Sequence, residues 1–350
     1  MKVAERISSF IQLGEYLRTF KKSPGNLFLS PLTDAAYRSS IENPWFTPEN
    51  ITTAIGSIGQ MLEPVKLHQW LEPYRQKITD NTGPRTIGVV MAGNIPLVGF
   101  HDFICVLMSG NRIKAKLSSS DAYLLPAISQ MLVQIQPLWK EYLNLTTGKL
   151  GEMDAVIATG SANTSRYFEY YFGKYPHIIR NHRNSIAVLN GKETDSVLHD
   201  LTKDIMLFFG MGCRSISKLF IPAGYDVEKL KTVLAHYSNY LTHNKYANNY
   251  NYQKSILLIN NMPFFDAGSI LLRNNKSINS PIAVLHFEEY RDQEGLTEAI
   301  QADISTIQCI VSESPLPFPS VLPGKAQFPE LWDYADQADT MDFLLSCFSK

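Results

Sequence analysis

Apolar residues recur at helical spacing through most of the first 80 positions. Ala4 to Leu17 carries one such stripe. Thr47-Pro48-Glu49-Asn50, ahead of Ile51, reads as an N-cap with proline in the first turn, and a further helix is predicted from Pro64 to Ile78. After the loop Asn81-Thr82-Gly83-Pro84 comes an apolar run of strand length, Thr86 to Gly93. Strands and helices then alternate: helix Leu97–Met108, strand Asn111–Leu117, helix Tyr123–Leu143, strand Ala155–Thr159, helix Ser161–Phe172 and strand Ser185–Leu189. This alternation predicts an α/β fold whose parallel, doubly wound sheet is covered on both faces.

Near Asn190 the character changes to a second α/β region. Its expected elements are helix Asp195–Phe209, strand Lys218–Ile221, helix Val227–Tyr240, strands Ser255–Ile259, Ser269–Leu272 and Ile282–Phe287, helix Leu296–Ala302 and strand Ile307–Val311. The proline-rich stretch Ser314 to Pro319 then carries the chain away, back toward the first region. The expected organisation is a first domain of residues 1–188 completed by 318–350, and a second of 189–317.

The 350 residues suffice for two cored domains, and 45% hydrophobic with 19% charged residues describes an ordinary globular protein. Thirty-two basic and 33 acidic residues are interspersed, so neither a nucleic-acid face nor a charged tail is expected. The long apolar stretch Met91 to Gly110 contains Asn94, Pro96, His101 and Asp102, which argues for a buried strand, turn and core helix over a membrane span. Four cysteines without a CxxC pair, and a start lacking the apolar core of a signal peptide, predict free thiols in a cytoplasmic protein. The eight histidines form no ligand-like pair, so no metal is expected.

Cys213 is the candidate nucleophile. It follows Gly210-Met211-Gly212, where a backbone bend can present the thiol to a ligand, and it precedes a predicted strand. Cys105, Cys309 and Cys347 look structural. Three loops leave strands of the first sheet, at the side where doubly wound folds bind ligands: Gly93-Asn94-Ile95-Pro96, the end of the strand opened by Gly110-Asn111 at Lys116-Leu117-Ser118, and Thr159-Gly160-Ser161 at a helix start.

In this order and spacing, these motifs resemble the aldehyde dehydrogenase superfamily: an Asn-x-Pro turn, a Gly-Asn strand ending in Lys-x-Ser, a Thr-Gly-Ser helix start, then a cysteine after a glycine element. The resemblance implies an aldehyde dehydrogenase-like fold, with a dinucleotide-binding first domain and a catalytic thiol in the second. Where that superfamily places a glutamate that activates water, this chain has Arg180-Asn181-His182-Arg183-Asn184-Ser185. Where a later glutamate holds the cofactor ribose, it has Ser277-Ile278-Asn279-Ser280-Pro281. These departures, and the segment Gly324 to Asp336, resemble the acyl-CoA reductase branch that includes the fatty-acid reductase of bacterial luminescence.

That branch implies reduction of an acyl-CoA, or another acyl thioester, to an aldehyde with NADPH. Cys213 would carry the acyl group and Asn94 would help stabilise the oxyanion. Lys116, Ser118, Thr159, Gly160 and Ser161 would contact the cofactor. Losing the hydrolytic glutamate suits a reductase, because an acyl-enzyme destined for hydride must be kept from water. Two alternatives stand beside it: a CoA-acylating aldehyde dehydrogenase, or a non-catalytic acyl- or nucleotide-binding relative. The hairpin arm that tetramerises larger relatives has no counterpart before Thr86, so a monomer or homodimer is expected. The aromatic cluster Tyr167, Phe168, Tyr170, Tyr171 and Phe172 is expected to pack in the core rather than line an acyl tunnel.

Overall fold

Five short parallel strands form the first sheet, and its two mostly apolar runs, Thr86–Val90 and Ala155–Thr159, lie side by side at the middle, where a sheet covered on both faces buries them. A computed structural model describes residues 1–22, 25–80, 83–160 and 162–348; Asn81, Thr82 and Ser161 lie outside them. Two compact units emerge, one of residues 1–182 with 329–350 and the other of residues 183–328.

The first unit opens with helices α1 (Val3–Thr19), α2 (Ser30–Glu42), α3 (Pro48–Met61), α4 (Pro64–Leu71) and α5 (Arg75–Asp80). As the sequence predicts, Thr47 caps α3, its side chain accepting from the Asn50 N–H at 3.2 Å. The chain continues as β1 (Thr86–Val90), α6 (Phe100–Met108), β2 (Arg112–Lys116), α7 (Leu124–Ile135), β3 (Leu143–Thr146), β4 (Ala155–Thr159), α8 (Ala162–Phe172) and β5 (His177–Arg180). The strand order is β3-β2-β1-β4-β5, all parallel. The chain therefore works outward from β1 to β3, then crosses back to put β4 on the other side of β1. That reversal leaves a crevice beyond the carboxyl ends of β1 and β4, where open α/β sheets bind ligands. Eight of the nine residues of α6 are buried, as the reading of Met91–Gly110 requires.

The second unit comprises β6 (Asn184–Val188), α9 (Asp195–Met206), β7 (Ile216–Pro222), α10 (Val227–Leu234), α11 (Asn244–Ile259), β8 (Phe265–Asp266), β9 (Leu271–Asn274), β10 (Val284–Tyr290), α12 (Gln293–Asp303) and β11 (Ile307–Ser312). Its sheet runs β11-β6-β7-β10-β9-β8, with only β8 antiparallel. The chain then returns to the first unit, ending in α13 (Thr340–Ser346). No described helix is long and apolar enough to cross a membrane.

Several expectations are corrected. Ser255–Ile259 is the end of helix α11, not a strand; its branched apolar run mimics one, yet Leu258 and Ile259 face solvent while Leu257 is buried. The helix expected to reach Leu143 stops at Ile135, because Pro137 cannot continue it, and β3 follows. β5 is missed outright, being four residues long after Pro176. The strand at Ser185 belongs to the second sheet, pairing with β7 and β11, so the chain passes to the second unit before it. Tyr167, Tyr170 and Tyr171 are exposed on α8 rather than buried.

The returning tail is held by polar side chains. Trp70 Nε1 donates to the Tyr334 hydroxyl at 2.7 Å, the Tyr74 hydroxyl donates to Asp339 at 2.5 Å, and His101 Nε2 lies 2.8 Å from the Leu331 carbonyl. Buried Arg180, on β5, places Nη1 2.7 Å from each Asp102 oxygen and donates from Nη2 to Thr340 Oγ1 at 2.7 Å. One guanidinium thus ties together β5, the first turn of α6 and the start of α13.

Candidate active site

In the first unit, the sequence-predicted residues gather at one edge of the sheet. Val90 pairs with both Lys116 and Ala158, so β1 and β2 end on the same rung and β4 ends one residue beyond it. Asn94, Lys116 with Ser118, and Thr159 with Gly160 therefore leave adjacent strand ends together. Asn94 is exposed one residue beyond Gly93, and a Cβ on Gly93 would lie 2.4 Å from Ser118 Oγ, so glycine is what lets these two loops touch. Buried Asp121 fixes the far side of the Asn94 loop by accepting the Leu97 N–H at 2.7 Å. Leu97 is left-handed, with φ 57°, and burial pushes the Asp121 carboxyl up to about 6.

Lys116 is exposed and makes no ion pair among the described residues. Ser118 is half-buried, and its Oγ already accepts from the Ser120 N–H at 3.2 Å. The Gly160 N–H donates to the Arg180 carbonyl at 3.2 Å, which sets the turn between β4 and α8. Ser161 lies outside the described residues. An exposed ammonium beside the strand ends of a topological switch point, with a helix starting there, is a donor set that fits an anionic nucleotide.

In the second unit, Cys213 occupies the turn Gly212–Ser215, closed by a Ser215 N–H to Gly212 carbonyl bond of 2.9 Å. The thiol residue is half-buried. The predicted bend is sharper than a pair of glycines. Phe208 (φ 54°), Phe209 (φ 57°) and Gly210 (φ 72°) are successive left-handed residues, so α9 ends at Met206 instead of reaching Phe209. Each left-handed phenylalanine costs about 1–2 kcal/mol. Phe209 offsets this by packing against Tyr240, His243 and Tyr246 at centroid distances of 4.7, 4.6 and 5.6 Å. Ring pairs of this kind contribute about 0.5–1.5 kcal/mol apiece, enough to hold the kink.

The turn is gripped from its other end as well. Ser185 Oγ donates to the Cys213 carbonyl at 2.9 Å, and Arg214 Nε donates to the Ala326 carbonyl at 2.6 Å. The Arg214 guanidinium also reaches Cys309 Sγ at 3.6 Å. Ser215 Oγ accepts from the Gly212 N–H and from Gln327 Nε2, at 3.2 and 3.1 Å. None of Ser185, Ser215 or Gln327 was legible as a support from local sequence; Gln327 sits in the Gly324–Asp336 segment, which carried only the family resemblance.

The segment beginning at Ser277 is also built in. Three successive carbonyls, of Lys276, Ser277 and Ile278, lie 2.5 Å from Lys218 Nζ, 2.9 Å from His286 Nδ1 and 2.7 Å from Ser217 Oγ. Lys218 is buried on β7 and paired with Glu288 at 2.6 Å. Burial lowers the pKa of His286, and its Nδ1, facing the Ser277 carbonyl, is the donor of that contact.

The fold is similar to solved aldehyde dehydrogenases. The indole-3-acetaldehyde dehydrogenase of P. syringae, solved with NAD+, matches 93% of this chain and 75% of its own at 12% identity and a TM-score of 0.64. The NAD-dependent aldehyde dehydrogenase of Sinorhizobium meliloti matches 91% and 71% at 13% identity and 0.62. The Bacillus cereus aldehyde dehydrogenase, also with NAD+, matches 89% and 72% at 12% identity and 0.59. At such identities the likeness establishes the aldehyde dehydrogenase-like fold alone. No curated protein sequence is significantly similar to the chain. The family model described as acyl-CoA reductase (LuxC) matches residues 35–243, a span that includes Asn94, Lys116, Ser118, Thr159, Gly160 and Cys213. The chain belongs to the acyl-CoA reductase (LuxC) family, oxidoreductases of acyl-CoA and aldehydes.

Proposed function

We propose that the protein reduces an acyl-CoA, of fatty-acyl type, to the aldehyde with NADPH through an acyl group held on Cys213. The Cys213 thiolate attacks the thioester carbonyl, the C–S bond to CoA breaks, and CoA leaves as a thiol once protonated. The Asn94 amide and the Cys213 backbone N–H donate to the developing oxyanion, each contact of this type being worth about 3 kcal/mol. Lys116, Ser118, Thr159 and Gly160, with Ser161, would hold NADPH, which supplies hydride to the acyl carbon. Collapse of the resulting thiohemiacetal frees the aldehyde and returns the Cys213 thiolate.

The observation that carries this reading is the setting of Cys213: a half-buried thiol on a turn gripped at both ends, inside the segment matched by the family model. The stretch that replaces the hydrolytic glutamate supports it too, since Arg180 there is committed to Asp102 and Thr340 and no carboxylate stands between it and Ser185. The test is mass spectrometry of the intact chain after incubation with tetradecanoyl-CoA without nucleotide. One acyl adduct on Cys213 is expected, with CoA released in equal amount; an adduct elsewhere, or none, overturns the reading.

A further inference from the structure

The Cys213 turn does not rest on its own backbone. Arg214 and Ser215, the two residues after the thiol, each bond to the segment 324–327: Arg214 Nε to the Ala326 carbonyl, and Ser215 Oγ to Gln327 Nε2. That segment lies more than 100 residues further along the chain and has little regular structure of its own. It is fixed from α9. Asp204 Oδ2 accepts the Gly324 N–H at 2.6 Å, Asp204 Oδ1 accepts the Ala326 N–H at 3.0 Å, and the Asp204 carbonyl accepts the second proton of Gln327 Nε2 at 3.2 Å. Asp204, Ser215 and Gln327 are all buried. Both amide protons of Gln327 are thus spent, one on the helix before the thiol and one on the turn that bears it.

We infer that Asp204 and Gln327 are positioning residues, which make the strap 324–327 the template for the Cys213 turn. This rests on the reading of Cys213 as the nucleophile and adds the device that aims it. The chemistry of the contacts makes the claim strict. An asparagine at 204 offers one acceptor oxygen where two N–H groups arrive, and its amide nitrogen would face a donor. A methionine at 327 keeps the volume but removes both donors.

The test uses the full chain and two readouts on Cys213: its alkylation rate by iodoacetamide, and the CoA released in the first turnover with tetradecanoyl-CoA. Gln327→Met and Asp204→Asn are each expected to slow first-turnover acylation about 100-fold, the scale of a misplacement of about 1 Å. The NADPH dissociation constant should stay at the wild-type value. Ser215→Ala in the Gln327→Met background should add almost nothing, because one network is broken twice. Wild-type acylation and alkylation rates in a folded Gln327→Met chain would overturn the inference. So would losses that merely follow a fall in melting temperature or nucleotide affinity. Should the wild type take no acyl group while alkylation still slows in Gln327→Met, the proposed reaction fails and the positioning role stands.

Discussion

The two candidate regions of this molecule, the strand-end loops of the first sheet and the Cys213 turn, are made by opposite means. At the edge of the first sheet, the candidate residues stand where the fold puts them: three parallel strands end within one residue of each other, and the loops that follow need only glycine and a short polar residue. Little there is strained apart from Leu97. The Cys213 turn is the reverse. It follows two left-handed phenylalanines, and its shape is imposed by Ser185, Arg214, Ser215 and Gln327. A binding edge tolerates variation because many backbone groups share the load, whereas a nucleophile must be held within about 0.5 Å. Substitutions on the two sides should therefore separate binding from chemistry.

The largest separation is expected from Cys213→Ala. Aldehyde formation should drop by at least about 10⁴-fold, with no acyl adduct, while NADPH titration by fluorescence gives the wild-type dissociation constant. Loss of nucleotide binding as well would mean that the two sides are not independent. Next comes Arg180→Met in the first unit. It leaves Asp102 buried without its partner, and urea unfolding should report a loss of about 3–5 kcal/mol. Asn94→Ala should lower kcat by about 10²–10³-fold with only a small change in KM for acyl-CoA; a change in KM alone would remove Asn94 from the oxyanion role. Lys116→Ala should weaken NADPH binding about tenfold, the worth of one charge-assisted hydrogen bond, and leave first-turnover CoA release untouched.

The smallest effect is a pH dependence. Burial holds the Asp121 and Asp204 carboxyls up to about 6, against an ordinary aspartate value of 3.8. Between those values the native state binds more protons than the unfolded chain. Their contribution to stability is therefore fully present below the unfolded pKa and fades as pH rises through about 6. Asp204→Asn should flatten that part of the stability–pH curve, measured by urea midpoints from pH 4 to 7. An unchanged slope would show that Asp204 does not titrate there.

The doubly wound first sheet was legible because its apolar runs alternate with helical stripes over a hundred residues, a signal of long range in sequence and low demand in detail. Cys213 and the strand-end loops were legible for a similar reason: glycine, asparagine and threonine mark turns, and their order carried the resemblance. What escaped was either short or distant. β3 and β5 have four residues each and too little pattern to register. The kink at Phe208 and Phe209 is invisible because phenylalanine is a poor marker of left-handed backbone, and its cause lies in rings on another part of the chain. The hold of Asp204 on residues 324 and 326 spans about 120 positions, and no local window contains both ends.

The bond from Arg180 to Thr340 bears on how the polypeptide is born. The guanidinium, sealed in the first unit's interior, finds its second acceptor only on the final helix. The amino-terminal half emerging from the ribosome thus cannot complete its interior until residues 329–346 follow. The intervening segment, with every strand of its own sheet already translated, is free to fold ahead of it. Maturation of this enzyme should finish with its first-made part.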